Sequence, residues 1–358
     1  MNRGRALAVL AVVALLFVAL WSRSPPPPAA PIAPRDVTLT TPTLPAIDAA
    51  FAPVARADVP VPQDVPPTHS VVVRGAWGAR PGEFGHTSEP EANPEGPMAL
   101  TVSPDGEVAV LDPRNRRVQR FRAGTVAETS LPAEAVQDLA RAPDGRLIAL
   151  DRLGAATVTV LERDGRVGAM IPLRGGAITE GGGVTGVFAD AEGIYVEREH
   201  REVVRVADAS GREDPARPTL WGRPSRDGAQ LLRAAMEDRA RGTVRVTVAA
   251  RENGAVDWST VIPMGGAVVH LVMLDSDAAG RVYVAAEVGE FTPDGVRGAG
   301  ITVARLDRAG VVDGTLRLPA PDGGDEIFRP MCVDDAGAVY VMAPGREGLE
   351  VRRYEVPG

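Results

Sequence analysis

Ser103-Pro104-Asp105-Gly106-Glu107-Val108-Ala109-Val110-Leu111-Asp112 reads as a tight Pro/Asp/Gly turn running into a strand of small and β-branched residues. It returns as Ala142-Pro143-Asp144-Gly145-Arg146-Leu147-Ile148-Ala149-Leu150-Asp151. Looser copies follow at 190–196, 277–284 and 335–341. A strand-and-turn unit recurring about every forty residues predicts an all-β fold, a β-propeller. The first turn of each blade falls at Gly106, Gly145, Gly193, Gly280 and Gly337. The long gap after Gly193 is filled by Ser225-Arg226-Asp227-Gly228, with Gly242 as a rival turn that leaves this register open.

A second series of turns ends at Gly124, Gly165, Gly211, Gly254 and Gly310, where glycine supplies the positive φ that hairpins need. Six first turns against five second turns leave the last blade one outer strand short. The alternating stretch 69–77 can supply it, closing a six-bladed ring and removing an exposed edge. The propeller is therefore expected over 69–358.

Ahead of it, Arg3 and Arg5 precede 6–21, a run without a charged or polar side chain. That predicts a membrane helix within 1–23, either an uncleaved anchor or a signal peptide. Pro25 would follow the small residues Ser22 and Ser24 and disfavours cleavage, so the anchor is the expectation. It places the rest outside the cytoplasm, periplasmic or at the cell surface, and secreted if the segment is cut. Residues 24–68, opening with Pro25 to Pro28, read as a Pro-rich spacer.

The chain has 358 residues and a net charge of −8, which argues against nucleic acid as a partner. Its 39 basic residues are all arginine, so lysine chemistry is excluded. Cys332 is the one cysteine, which excludes an intramolecular disulfide and a thiolate metal cluster.

Pro94-Glu95-Gly96-Pro97-Met98-Ala99-Leu100-Thr101-Val102, then Asp105-Gly106, then Asp112-Pro113-Arg114-Asn115-Arg116-Arg117-Val118-Gln119-Arg120-Phe121 resembles an NHL repeat. Trp77-Gly78 and Pro81-Gly82-Glu83-Phe84 resemble the linker preceding one. The resemblance covers about 75–358 and implies a six-bladed propeller with, usually, a binding role. Arg116 stands second in the family's Asn-His-Arg signature, and only His200-Arg201 echoes the histidine.

Motifs of catalysis are few. Gly181, Gly183 and Gly186 form G-x-G-x-x-G, but the segment leads into a strand, not the helix a dinucleotide site requires. Asp275 to Gly280 begins like a calcium loop, yet Ala279 and Ala286 stand where ligands belong. His69, His86, His200 and His270 are scattered, with His270 on an inner strand and expected in the core, as is Cys332.

The remaining candidates are positional. The second and fourth connections of each blade emerge on one face, here called the loop face. It would carry Asp112, Arg114, Asn115, Arg116, Asp151, Arg152, Glu197, Arg198, His200, Arg201, Arg346 and Glu347, with the loop 82–97 and the insertion 287–300. Turn geometry does not require these charges. They suggest a non-catalytic module binding a protein or envelope polymer, touching membrane only through its N-terminal helix and using no cofactor or metal. The alternative is an enzyme like the six-bladed lactonases, hydrolases or dehydrogenases, which gather carboxylates or histidines around the channel.

Overall fold

The computed structural model describes residues 55–56, 67–88, 93–293, 295–319 and 326–358. The expected membrane segment 1–23 and nearly all of the spacer 24–68 lie outside them. Among the described residues no helix is long and apolar enough to cross a membrane.

Six sheets follow one another along the chain, each built on four antiparallel strands. From inside outward, blade one is Ala99–Val102, Val108–Asp112, Arg117–Arg122 and Thr125–Ser130. Blade two is Asp138–Arg141, Leu147–Asp151, Thr157–Leu161 and Val167–Pro172. Blade three is Val184–Ala189, Gly193–Arg198, Glu202–Asp208 and the short Thr219–Leu220. Blade four is Arg223–Pro224, Gln230–Asp238, Thr243–Ala250 and Val256–Pro263. Blade five is Ala267–Ser276, Val282–Thr292, Gly295–Leu306 and Val312–Pro319. Blade six is Met331–Val333, Val339–Gly345 and Gly348–Tyr354, completed by His69–Ala76 from the N-terminal side.

That last strand pairs antiparallel with Gly348–Tyr354, from His69 opposite Tyr354 to Ala76 opposite Gly348. The expected closure by the two ends is the one observed.

The repeated turn has a single construction. Gly106, Gly145, Gly228, Gly280 and Gly337 all have positive φ. Their N–H groups donate to the carbonyl three residues back, at 2.9 Å for Gly106 and 3.1 Å for Gly337. Gly193 differs, being the first residue of its strand, and its turn is made by Asp190, whose Oδ1 accepts from the N–H of Glu192 (2.8 Å) and Gly193 (3.0 Å). Gly242 lies between the second and third strands of blade four, which settles that blade's register on Gly228.

Buried apolar clusters fill five of the seams between neighbouring blades: one–two, two–three, four–five, five–six and six–one. Among the described residues none bridges blades three and four.

Candidate functional site: the channel hub and the loop face

The first strands line the central channel, and three arginines tie them together across it. Arg329 stands two residues ahead of the inner strand of blade six. Its Nε and Nη2 reach both oxygens of the fully buried Asp138 on blade two, at 2.7 and 2.6 Å. Nη2 also donates to Val187 O on blade three, at 2.8 Å. Arg223 on blade four grips Glu197 of blade three at 2.7 and 3.0 Å. Both guanidiniums lie over the ring of Phe188, at 5.1 Å for Arg329 and 5.0 Å for Arg223. Arg226, in the first turn of blade four, bonds Asp275 and Ser276 O of blade five and Asp335 of blade six. Blade one joins through Leu100, whose N–H donates to Arg329 O at 3.3 Å. Two-pronged arginine–carboxylate pairs fix orientation as well as distance, so the channel is a braced hub.

Burial alone would raise the Glu197 carboxyl, but Arg223 beside it, helped by His200, outweighs burial and holds it at about 2. Cys332 is buried in the inner strand of blade six, and that burial pushes its thiol up to about 12. It is a packed small side chain and a poor nucleophile.

The expected loop-face residues divide by role. Asp112 is fully buried and accepts from Gly85 N (3.1 Å), Asn115 Nδ2 (2.8 Å) and Arg117 Nε (3.0 Å). Asn115 also donates to Gly78 O (2.9 Å). Arg117, absent from the expected set, clamps the loop ahead of blade one through Ala79 O, Arg80 O and Glu83 O. Asp151 is buried and accepts from Gly154 N and Ala155 N. Arg152 bonds Gly182 O and Val184 O and lies 5.3 Å from the Phe328 ring. Arg198 bonds Ala177 O and Glu202. These six brace loops. Each is engaged inside the fold, most fully the buried Asp112, Arg117 and Asp151, because burial of a polar group demands partners there.

The exposed members are Arg114, Arg116, His200, Arg201, Arg346 and Glu347. Arg114 pairs with Glu95 at 3.0 Å and Arg116 with Glu134 at 3.3 Å. His200 lies 3.4 Å from Glu197. Arg201 and Arg346 have no side-chain partner among the described residues. Leu153, 63% exposed, stands in the same layer of loops.

His270 is not in the core. The inner strand of blade five has ten residues, and its early end carries His270 into solvent, 3.1 Å from Glu287. The other histidines are dispersed: His69 lies against Tyr354 and His86 against Trp77. The insertion 287–300 is a two-stranded extension of blade five, with Phe291 opposite Val296 near its tip.

The opposite, turn face is not featureless. A cleft of about 510 Å³ there is lined by Arg146, Arg163, Arg166, Asp144, Glu162 and Asp164. Its charges are largely spent on one another: Arg146 bonds Asp144 at 2.7 Å and Arg166 bonds Asp164 at 2.8 Å.

The channel residues Asp138, Phe188, Arg223, Arg226, Asp275 and Arg329 are missing from the expected set. For the charged ones the one sequence signal is a charge in or near an inner strand, as in Asp138-Leu139-Ala140 and Arg329-Pro330-Met331.

No protein-family model matches the chain, and no curated protein matches it at significance. Solved structures do. A virginiamycin B lyase from Staphylococcus aureus is 11% identical with a TM-score of 0.39, over 75% of this chain and 87% of that one. The calcium-binding protein regucalcin from Agrobacterium tumefaciens is 14% identical with a TM-score of 0.41, over 73% and 91%. A chain of the mitotic checkpoint complex is 13% identical with a TM-score of 0.47, over 78% and 96%. These values speak for no shared ligand or activity. On its own six sheets and its end-to-end closure, the chain is a six-bladed β-propeller.

Proposed function

We propose that this chain is a non-catalytic binding module, held outside the cytoplasm by its N-terminal segment and presenting its loop face to a protein or envelope polymer. The observation that carries the reading is a division of charge. Around the channel and at the seam between blades three and four, Asp138, Glu197 and Asp275 are each engaged by an arginine. On the loop face, Arg201 and Arg346 are exposed with no side-chain partner among the described residues, and Leu153 on the same face is 63% exposed. Exposed arginines that the fold does not use are what a partner surface can use as anchors. The enzyme alternative requires channel carboxylates free to act, and here they brace the hub.

The test is crosslinking capture from intact membranes with the full chain, comparing the parent with Arg201→Ala combined with Arg346→Ala. Capture should fall at least tenfold while melting stays put. Undiminished capture overturns the loop face as the binding surface. Fractionation with protease accessibility tests the anchor, which a soluble mature form beginning after residue 21 would replace with a cleaved signal.

A further inference from the structure

A propeller's outer strands are sheet edges, and an exposed edge recruits other strands unless something blunts it. Five edges here have an evident device. Blade one's Thr125–Ser130 carries Glu128, and blade three's Thr219–Leu220 has only two residues. Blade two's Val167–Pro172 breaks register between Val167 and Met170. Blade five's Val312–Pro319 carries Asp313 and Arg317, and blade six's His69–Ala76 carries Arg74 and a register break.

Blade four is different. Its outer strand Val256–Pro263 has eight residues; the six from Trp258 to Pro263 are uncharged, and its one charge, Asp257, stands second. Its register break lies at that end, and Trp258 to Pro263 pairs regularly with the third strand. Ser259, Thr260, Val261 and Ile262 are buried despite their place on the rim. Blade five holds this stretch rigid from the side: Thr260 Oγ1 donates to Gly310 O at 2.7 Å. Gly310 sits so close to the Trp258 ring that an added Cβ would lie 2.6 Å from it.

What covers the edge is a piece of the expected spacer. Ala55 pairs in parallel with Thr260, and Arg56 with Val261. In the sequence Pro53-Val54-Ala55-Arg56-Ala57-Asp58-Val59-Pro60 the two prolines lack ladder donors and bracket the part able to pair.

We propose that the outer edge of blade four is a docking site for an extended peptide added as a parallel strand, with the chain's own segment around Ala55 and Arg56 as its resident occupant. Main-chain hydrogen bonds supply the affinity and the rigid edge supplies the register. The proposal is independent of the loop-face reading.

The test is hydrogen exchange on the full chain in detergent, followed at Ser259, Thr260, Val261 and Ile262. The comparison is Ala55→Pro combined with Arg56→Pro, which removes both N–H donors without touching the propeller. The outward-facing amides among the four should exchange at least tenfold faster in the variant, with blade two unchanged. A synthetic peptide of residues 50–60 at millimolar concentration should restore protection, and the same peptide carrying both prolines should not. Equal exchange in parent and variant overturns the resident occupant. Exchange that speeds up but ignores the peptide overturns the docking site.

Discussion

The seam between blades two and three and the seam between blades three and four are built from different chemistry. Ile148, Leu150 and Val158 of blade two meet Val187, Ile194 and Val196 of blade three in one apolar cluster. On the far side of the same blade three, the joint is polar. Arg251 of blade four reaches Asp190 and the Tyr195 hydroxyl, and Arg223 grips Glu197. Apolar seams tolerate small sliding because the attraction is non-directional. A seam of charge-assisted bonds fixes one geometry and fails when a single partner is lost. Blade three is thus packed by volume on one side and by bond geometry on the other. The polar side ends, at Glu197 and His200, in the loop face. A chain whose 39 basic residues are all arginine has the five-donor fork available for such joints.

The most damaging change expected attacks neither seam but the closure that holds all of them in register. Deleting 69–76 removes Val73 from the six–one cluster and strips every pairing from the outer side of Gly348–Tyr354. The full chain should then aggregate and lose its cooperative melt. A monomer melting with the parent would refute the closure.

Within the seams the contrast is direct. Leu150 is fully buried between blades two and three, so Leu150→Ala should cost about 4 kcal/mol in chemical denaturation. Arg251→Met at the polar seam leaves the buried Asp190 without its counter-charge and should cost roughly 3 kcal/mol. Adding Asp190→Asn should recover part of that second loss, because Asn keeps the oxygen that accepts from Glu192 N and Gly193 N. No recovery would mean the joint is held by packing after all.

The ring was legible in the sequence because propeller turns are local. Asp105-Gly106 and Asp144-Gly145 state their backbone geometry within four residues, and the alternation in 69–77 shows a strand seeking a neighbour. The hub was not legible. Asp138 and Arg329 lie 191 positions apart, and no spacing rule links them. Asp112 and Asp151 looked like loop residues because each ends a strand, yet a carboxylate there folds back to accept backbone and side-chain donors of the following turn. The cover on blade four's edge was not legible either, since a stretch rich in proline gives little sign that two residues within it pair.

Acid should separate the seams more finely. The Glu197 carboxyl titrates at about 2 in the fold against an ordinary 4.5. A depressed folded value means the contribution is fully present above 4.5 and is lost as pH falls from there toward 2. By pH 3 the polar seam should have given up about 2 kcal/mol. The stability advantage of the parent over Glu197→Gln, measured by urea melts at pH 6 and pH 3, should shrink by that amount. An advantage that does not change with pH would show that Arg223 does not hold the carboxylate ionised.

The smallest effect expected comes from the exposed loop face, and it tests whether charge there is structural at all. Arg116 and Arg117 are neighbours of the same type with opposite surroundings. Arg117 has a side chain 8% exposed and is bonded to the buried Asp112, whereas Arg116 is 54% exposed and meets only the 79% exposed Glu134. Arg116 also has a φ of 54°, a left-handed conformation that asparagine tolerates. Arg116→Asn therefore removes an exposed ion pair without straining the turn, and exposed pairs contribute about 0–1 kcal/mol. Its stability should stay within about 0.5 kcal/mol of the parent. A loss as large as that of Arg251→Met would place Arg116 in the bracing set with Asp112 and Arg117, and would leave Arg201 and Arg346 as the face's free arginines.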